Sequence, residues 1–399
     1  MFMFGESPRE RSLFYLMMAQ LALNFRGGII SPILSLYIRQ QGMSISQVGL
    51  LGTASILGWL IFEPLSGVIA DRVRKKWMMV FSIIGSTIVY TLYPSAGTFQ
   101  HFLFLGFSLT SIMSVYAIAL KALQAELLPR EGRGRTYGRY LSVISIGGVV
   151  SPFIGGWVTE NMGYTLPFHL SALVGVGMLA AVLLMEYDDK AAIDASKKIE
   201  GGWRELFTAS LVGIYLVRGL YMFNTMFRST FLPIYLNESP RFNASETQIG
   251  TYMTLVRLAA AGSQAASGSL CDRYGAKWMI VVGVSAMGAT YLGLVYGQGL
   301  ALLYTVGLIQ GLLIAASDLG MTLHLMSVMP ESRTGMVMGL YSESENVGGV
   351  LANPSLGYVY EGGGADASVL TVSAAMFLTA FLSLVMVKDE DADRKRAMG

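Results

Sequence analysis

Nine ionisable residues other than histidine fall inside long apolar stretches of this 399-residue chain: Arg26, Glu63, Lys121, Arg218, Arg228, Arg257, Asp318, Glu343 and Glu345. A charge at the centre of a membrane helix costs about 2.5–3.5 kcal/mol unless it is paired or wetted, so such residues mark functional positions by default. Carboxylates among arginines suit the capture and release of protons and the holding of charged solutes. Asp318, Arg26 and Arg257 lie near the middle of their stretches. An ionised carboxylate there is either protonated part of the time or held by a cation on a facing helix, and Arg26 and Arg257 are the expected partners of Asp318. Competition between a proton and a solute for one charged site is the simplest physical route to exchange. Arg228 and Glu343 complete this proton-coupling and substrate set. Glu343 shares a helix face with Asn346, whereas Glu345 lies about 200° away from it around the helix. Arg218 and Lys121 read as bracing or snorkelling side chains, Glu63 as a gate residue, and Glu345 as a residue of gating or stability.

The residue inventory also excludes chemistries. There is no Ser/His/Asp cluster, metal-ligand spacing or nucleotide loop, so neither an enzyme, a metal nor a cofactor is expected. The single cysteine, Cys271, can form no intrachain disulfide. A net charge of +2 gives no support to a nucleic-acid partner.

The elements that must position these charges are membrane helices. The chain is 53% hydrophobic and 14% charged, where soluble domains carry about a quarter charged residues. Its 46 glycines and 24 methionines suit close-packed helices in lipid. A window of roughly 20 apolar residues finds twelve spans, at about 12–37, 46–69, 77–97, 101–125, 137–158, 165–186, 207–235, 246–269, 278–298, 300–328, 336–359 and 367–387. One polar stretch separates two sets of six. The expected organisation is therefore an N-terminal six-helix half at 1–186, a cytoplasmic linker at 187–206 and a C-terminal six-helix half at 207–399. With a cytoplasmic N-terminus, 21 of the 28 Lys and Arg residues fall on cytoplasmic segments and two, Arg39 and Arg241, on the other side. That bias puts both termini in the cytoplasm of a cell membrane.

The halves repeat. At an offset of 201, Pro32 meets Pro233, "SISQVG" at 44–49 meets "SETQIG" at 245–250, Pro129 meets Pro330, and Gly147-Gly148 meet Gly348-Gly349. Between spans 2 and 3 stands Gly67-Val-Ile-Ala-Asp71-Arg72-Val-Arg74-Lys75-Lys76, and its copy keeps Gly268, Asp272, Arg273 and Gly275. On a twelve-span chain with a parallel repeat, this pattern resembles the hallmark G-x-x-x-D-R-x-G-R-(R/K) of the major facilitator superfamily, with Arg74 where the pattern has Gly. The resemblance covers nearly the whole chain. In span 5, Gly138, Gly147, Pro152, Gly155 and Gly156 match the family's antiporter motif, with Ser151 in place of one Gly. Small residues at such spacing equally serve close helix packing.

The resemblance implies an all-α membrane protein with twelve transmembrane helices in two six-helix pseudo-repeats. It implies that spans 1, 4, 7 and 10 line a cavity and that 3, 6, 9 and 12, which carry none of the nine charges, face lipid. It implies a cytoplasmic gate of Gly67, Asp71, Arg72 and Glu126, with Asp272 and Arg273 in the second half. In that gate Asp71 caps span 11 and Arg72 pairs with Glu126, while Ser327 at the matching place weakens the second copy. The function implied is secondary transport of a small molecule by alternating access, as proton-coupled export by a monomer in the bilayer. One subgroup feature is missing: span 4 has no Arg, and Lys121 is its only base. Transport of an organic anion on the same fold stays open as the alternative, and a non-transporting membrane sensor as a lesser one.

Overall fold

The computed structural model describes residues 7–70, 72–128, 133–186, 206–330 and 333–387. Among them every regular element is helical, and the helices match the twelve expected spans. Span 1 runs Pro8–Ile30 and resumes as Leu34–Gln40; spans 2–6 are Ile45–Ala70, Lys75–Leu92, Phe99–Leu127, Arg133–Met162 and Leu166–Leu183. Span 7 is Ala209–Met226, a π-helical turn at Phe227–Phe231, and Leu232–Glu238. Spans 8–12 are Glu246–Tyr274, Ala276–Tyr296, Leu300–Val328, Thr334–Gly363 and Ala365–Met386. Among the described residues, nine of these are long and apolar enough to cross a membrane by length and composition. Spans 7, 8 and 11 fall short, and they carry five of the nine interior charges. The expected linker lies outside the described residues except for Leu206, as does Asp71.

The two irregular spans share a cause. Pro32 and Pro233 are repeat mates, and a proline inside a helix removes one backbone donor and collides with the carbonyl four residues back. Span 1 answers with a break at residues 31–33, span 7 with the π turn immediately before Pro233. Arg228 sits on that turn.

The chain divides into two compact units. Unit 1 comprises Met1–Met43, Ala54–Lys197 and Ser245–Thr254; unit 2 comprises Ser44–Thr53, Lys198–Ala244 and Leu255–Gly399. Each includes a ten-residue arm that opens on the repeated "S-x-x-Q" sequence, which forms a capping box. In unit 2 the Ser44 amide donates to Gln47 Oε1 at 2.8 Å, and the Gln47 amide donates to Ser44 Oγ at 3.3 Å. In unit 1 Ser245 and Gln248 do the same at 3.0 and 3.4 Å. A carboxylate completes each cap. Glu361 Oε2 accepts from the Ser46 amide (2.9 Å) and Ser44 Oγ (3.2 Å). Glu160 Oε2 accepts from the Thr247 amide (3.1 Å) and Ser245 Oγ (2.7 Å). Negative charge at a helix N-terminus also opposes the positive end of the helix dipole.

Within each unit, glycine brings the helix backbones together. A Cβ on Gly147 would strike the carbonyl of Leu21, and one on its mate Gly348 would strike that of Gly219. Span 5 thus lies directly on span 1, and span 11 on span 7. Large apolar side chains point outward from spans 3, 6, 9 and 12, among them Phe81, Leu173, Val282 and Phe381. In water such a surface would be a liability; against lipid it is what the absence of charge on these spans requires.

Candidate functional site

One cluster of interior charges stands out, and all of it lies in unit 2. Arg218 of span 7 reaches two carboxylates at once. Its Nη1 donates to Asp318 Oδ1 of span 10 at 2.7 Å, and its Nε donates to Glu345 Oε1 of span 11 at 2.7 Å. The guanidinium is further held between two rings, 5.6 Å from the centre of Tyr221 and 5.4 Å from that of Tyr341. Arg218 keeps 16% of its side-chain surface exposed, against 44% for Asp318 and 31% for Glu345. The cation is the buried member, and the acids are the more exposed ones. With both acids ionised the three groups carry one net negative charge, and a single proton cancels it.

Asp318 is therefore held by an arginine, but not by either expected one. Its partner is Arg218, and Glu345 belongs to the same cluster. Arg26 is turned the other way. It is 1% exposed, donates from Nη1 to Ser86 Oγ at 3.0 Å, and stacks 4.1 Å over the Tyr90 ring, so span 3 of unit 1 engages it, while its Nε and Nη2 are buried without a hydrogen-bond partner. The reason is helical phase: nine residues separate Arg26 from Met17, about half a turn of azimuth, and Met17 occupies the face toward span 5. Glu343 Oε2 accepts from Asn346 at 3.2 Å on the shared face that the sequence indicates, apart from the cluster. Lys121 braces span 4 against span 2 through Glu63 at 3.2 Å. Arg228 and Arg257 are half-buried and lie outside the Arg218 cluster.

The gate and motif residues are placed as follows. Arg72 is exposed, and Glu126 pairs with Lys75 at 3.4 Å rather than with Arg72. Asp272 and Arg273 are exposed, with Arg273 lying over its neighbour Tyr274. Gly67 and Gly268 face open space, so neither glycine is required by close approach. The span 5 motif is a packing surface. Gly147 and Gly155 lie on the carbonyls of Leu21 and Ile29, Gly156 lies on that of Glu246, and the Pro152 carbonyl meets Gly250. Ser151 is fully buried beside them. Gly138 is in the same helix, with surroundings outside the described residues.

The repeat offers an internal control. At the offset of 201, Arg218, Tyr341, Glu345 and Asp318 correspond to Met17, Tyr140, Ile144 and Ala117. Met17, Tyr140 and Ile144 pack together in unit 1 as a buried apolar cluster. One seam is ionic and the other greasy, on the same helix pair and around the same tyrosine.

Comparison with known proteins fits this architecture. The profile of the Major Facilitator Superfamily matches residues 16–239 and 214–398. The chain belongs to that superfamily. As a facilitator it is a multi-pass membrane transporter rather than an enzyme. It is similar to the quinolone resistance protein NorA of Staphylococcus aureus (strain MRSA252), at 24% identity over 225 residues, 54% of this chain and 56% of NorA. The aligned part thus spans only about half of that relative's length. It is also similar to the uncharacterized MFS-type transporter MJ1560 of Methanocaldococcus jannaschii, at 23% identity over 94% of this chain and 96% of that protein. Among solved structures, the nucleoside transporter NupG superposes with a TM-score of 0.75 at 14% identity, covering 94% of this chain and 99% of NupG. At that identity the likeness concerns the fold alone.

Proposed function

We propose that this facilitator exports a small molecule in exchange for protons, with the Arg218–Asp318–Glu345 cluster as its proton site. It does so as a monomer in the cell membrane, with both termini in the cytoplasm. The observation that carries this is the contrast between the halves: the seam closes with Met, Tyr and Ile in unit 1, so packing does not call for charge there. Unit 2 nonetheless spends an arginine and two acids on it. With both acids ionised, Arg218 ties spans 7, 10 and 11 together. A proton on Asp318 or Glu345 removes one of these charge-assisted bonds and loosens one helix from the other two. A solute that draws on the same charges competes with the proton, which makes the exchange obligatory. The alignment with NorA, a resistance protein by name, favours export.

The test uses proteoliposomes and a substrate found by melting shifts across quinolones, nucleosides and organic anions. Wild type should accumulate it against its gradient when a pH gradient is imposed. Asp318→Asn should lose uphill accumulation yet keep exchange at equal pH, because the amide mimics the protonated acid. Continued accumulation by Asp318→Asn would show that Asp318 does not carry the proton, and continued accumulation by Asp318→Asn with Glu345→Gln would place the proton site outside the cluster, with Glu343 next in line.

A further inference from the structure

Arg26 makes no ion pair among the described residues, although only 1% of it is exposed. Its Nη1 is engaged by Ser86, while Nε and Nη2 are buried without a hydrogen-bond partner. Those two nitrogens form one edge of the guanidinium, the fork that takes an anion with two parallel N–H bonds. The Tyr90 ring, 4.1 Å from the guanidinium carbon, offers only the partial charge of its face. Span 6 brings a further donor to the same place. A Cβ on Gly175 would strike Thr87 Oγ1 and lie 3.4 Å from Arg26 Nη1, so the Thr87 hydroxyl stands beside the guanidinium. That hydroxyl too is buried without a partner.

The repeat shows how the same place is filled when no ligand is needed. At the offset of 201, Arg26, Ser86, Thr87, Tyr90 and Gly175 correspond to Phe227, Met287, Gly288, Tyr291 and Met376. Phe227 meets Tyr291 edge to face at 5.6 Å, and Phe227, Met287 and Met376 are all fully buried. Unit 1 has a cation in place of the phenylalanine, and Ser and Gly in place of the two methionines. Thr87 in place of Gly288 returns only part of that volume. Room and donors therefore arrive together. One helical turn from Ser86 and Gly175, Ile83 and Met178 belong to the apolar core of unit 1, so the surroundings are poorly polarisable. A lone cation in such a place is unfavourable unless something of opposite sign joins it.

We infer that unit 1 holds a small inorganic anion, with chloride as the abundant case, between spans 1, 3 and 6. Arg26 Nε and Nη2 bind it as a fork, and the Thr87 hydroxyl is the third donor. Enclosure selects a monatomic ion over a lipid headgroup or an organic anion. The ion lies toward spans 3 and 6, the helices with apolar outer faces, and is a resident of the bundle rather than the transported solute. It stabilises unit 1 by neutralising Arg26, and the inference does not depend on which residues carry the proton.

The experiment measures melting of the purified full chain while chloride replaces gluconate at constant ionic strength and pH. An ion that binds only the folded chain raises the melting temperature once its concentration passes the dissociation constant. Chloride should do so, bromide should substitute for it, and radioactive chloride should bind at one ion per chain. Arg26→Phe, which installs the residue of unit 2, should abolish both the binding and the chloride response. Thr87→Val, which keeps the shape and loses the hydroxyl, should weaken chloride binding by about fivefold or more. Asp318→Asn with Glu345→Gln should keep the full chloride response, so failure of the proton proposal and failure of this one are read from different variants. Absence of saturable chloride binding to wild type, equal stabilisation by gluconate, or unchanged chloride affinity in Thr87→Val or in a folded Arg26→Phe would overturn it.

Discussion

The seam between spans 1 and 5 and the seam between spans 7 and 11 are the same piece of architecture built twice. Both rest on a glycine at the helix crossing, Gly147 or Gly348, and both keep a tyrosine, Tyr140 or Tyr341. Around that tyrosine unit 1 places Met17 and Ile144, and unit 2 places Arg218 and Glu345. The capping carboxylates behave in the opposite way. Glu160 and Glu361, themselves 201 residues apart, make the same two hydrogen bonds to their arms in both units. What the repeat keeps is what each half needs in order to stand; what it changes is free to serve transport. Charges that occur in one copy only are therefore the ones to associate with the solute and the proton.

The largest effect that tests this comparison comes from breaking the ionic seam on one side. Arg218→Met restores the unit 1 residue but strands two carboxylates. Removing one partner of a fully buried ion pair typically costs about 3–5 kcal/mol, and the loss here should fall below that because Asp318 and Glu345 are partly exposed. The variant should melt well below wild type and fail to transport. A melting temperature close to wild type would mean that water already neutralises the acids and that Arg218 is not their anchor. A smaller and symmetrical effect is expected at the caps. Glu160→Ala and Glu361→Ala each remove hydrogen bonds and dipole compensation at a helix start, worth about 1–2 kcal/mol. Thermal unfolding should show similar losses for the two. A loss confined to one of them would break the claim that repeated features are structural.

The spans and the repeat are legible in the sequence because both are properties of a single stretch or a fixed offset: twenty apolar residues, or a motif recurring after 201 positions. Pro32 and Pro233 even mark where spans 1 and 7 become irregular. The charge cluster is not legible in that way. Arg218 lies 100 residues from Asp318 and 127 from Glu345, and depth within a span says nothing about azimuth, which decides the partner. Arg26 shows the cost: its depth is central, but its face looks toward Ser86 and Tyr90. A signal was nonetheless present. Laying the halves over each other residue by residue shows that Tyr140 and Tyr341 agree while Met17/Arg218 and Ile144/Glu345 change from apolar to opposite charges. Two complementary changes around one retained residue indicate contact. The "S-x-x-Q" arms were likewise readable as capping boxes, although their distant carboxylates were not.

The most direct measurement converts the seam of unit 2 into that of unit 1. The triple variant Arg218→Met, Asp318→Ala, Glu345→Ile removes all three charges together, so none is left stranded. Replacing a complete ionic group by packed apolar residues is often neutral or stabilising, by about 1–4 kcal/mol. The account predicts a folded protein that melts at or above the wild-type temperature and shows no pH-driven uphill transport in proteoliposomes. A triple variant that fails to fold would show the cluster to be structural, and one that still accumulates substrate against its gradient would show that the proton binds elsewhere.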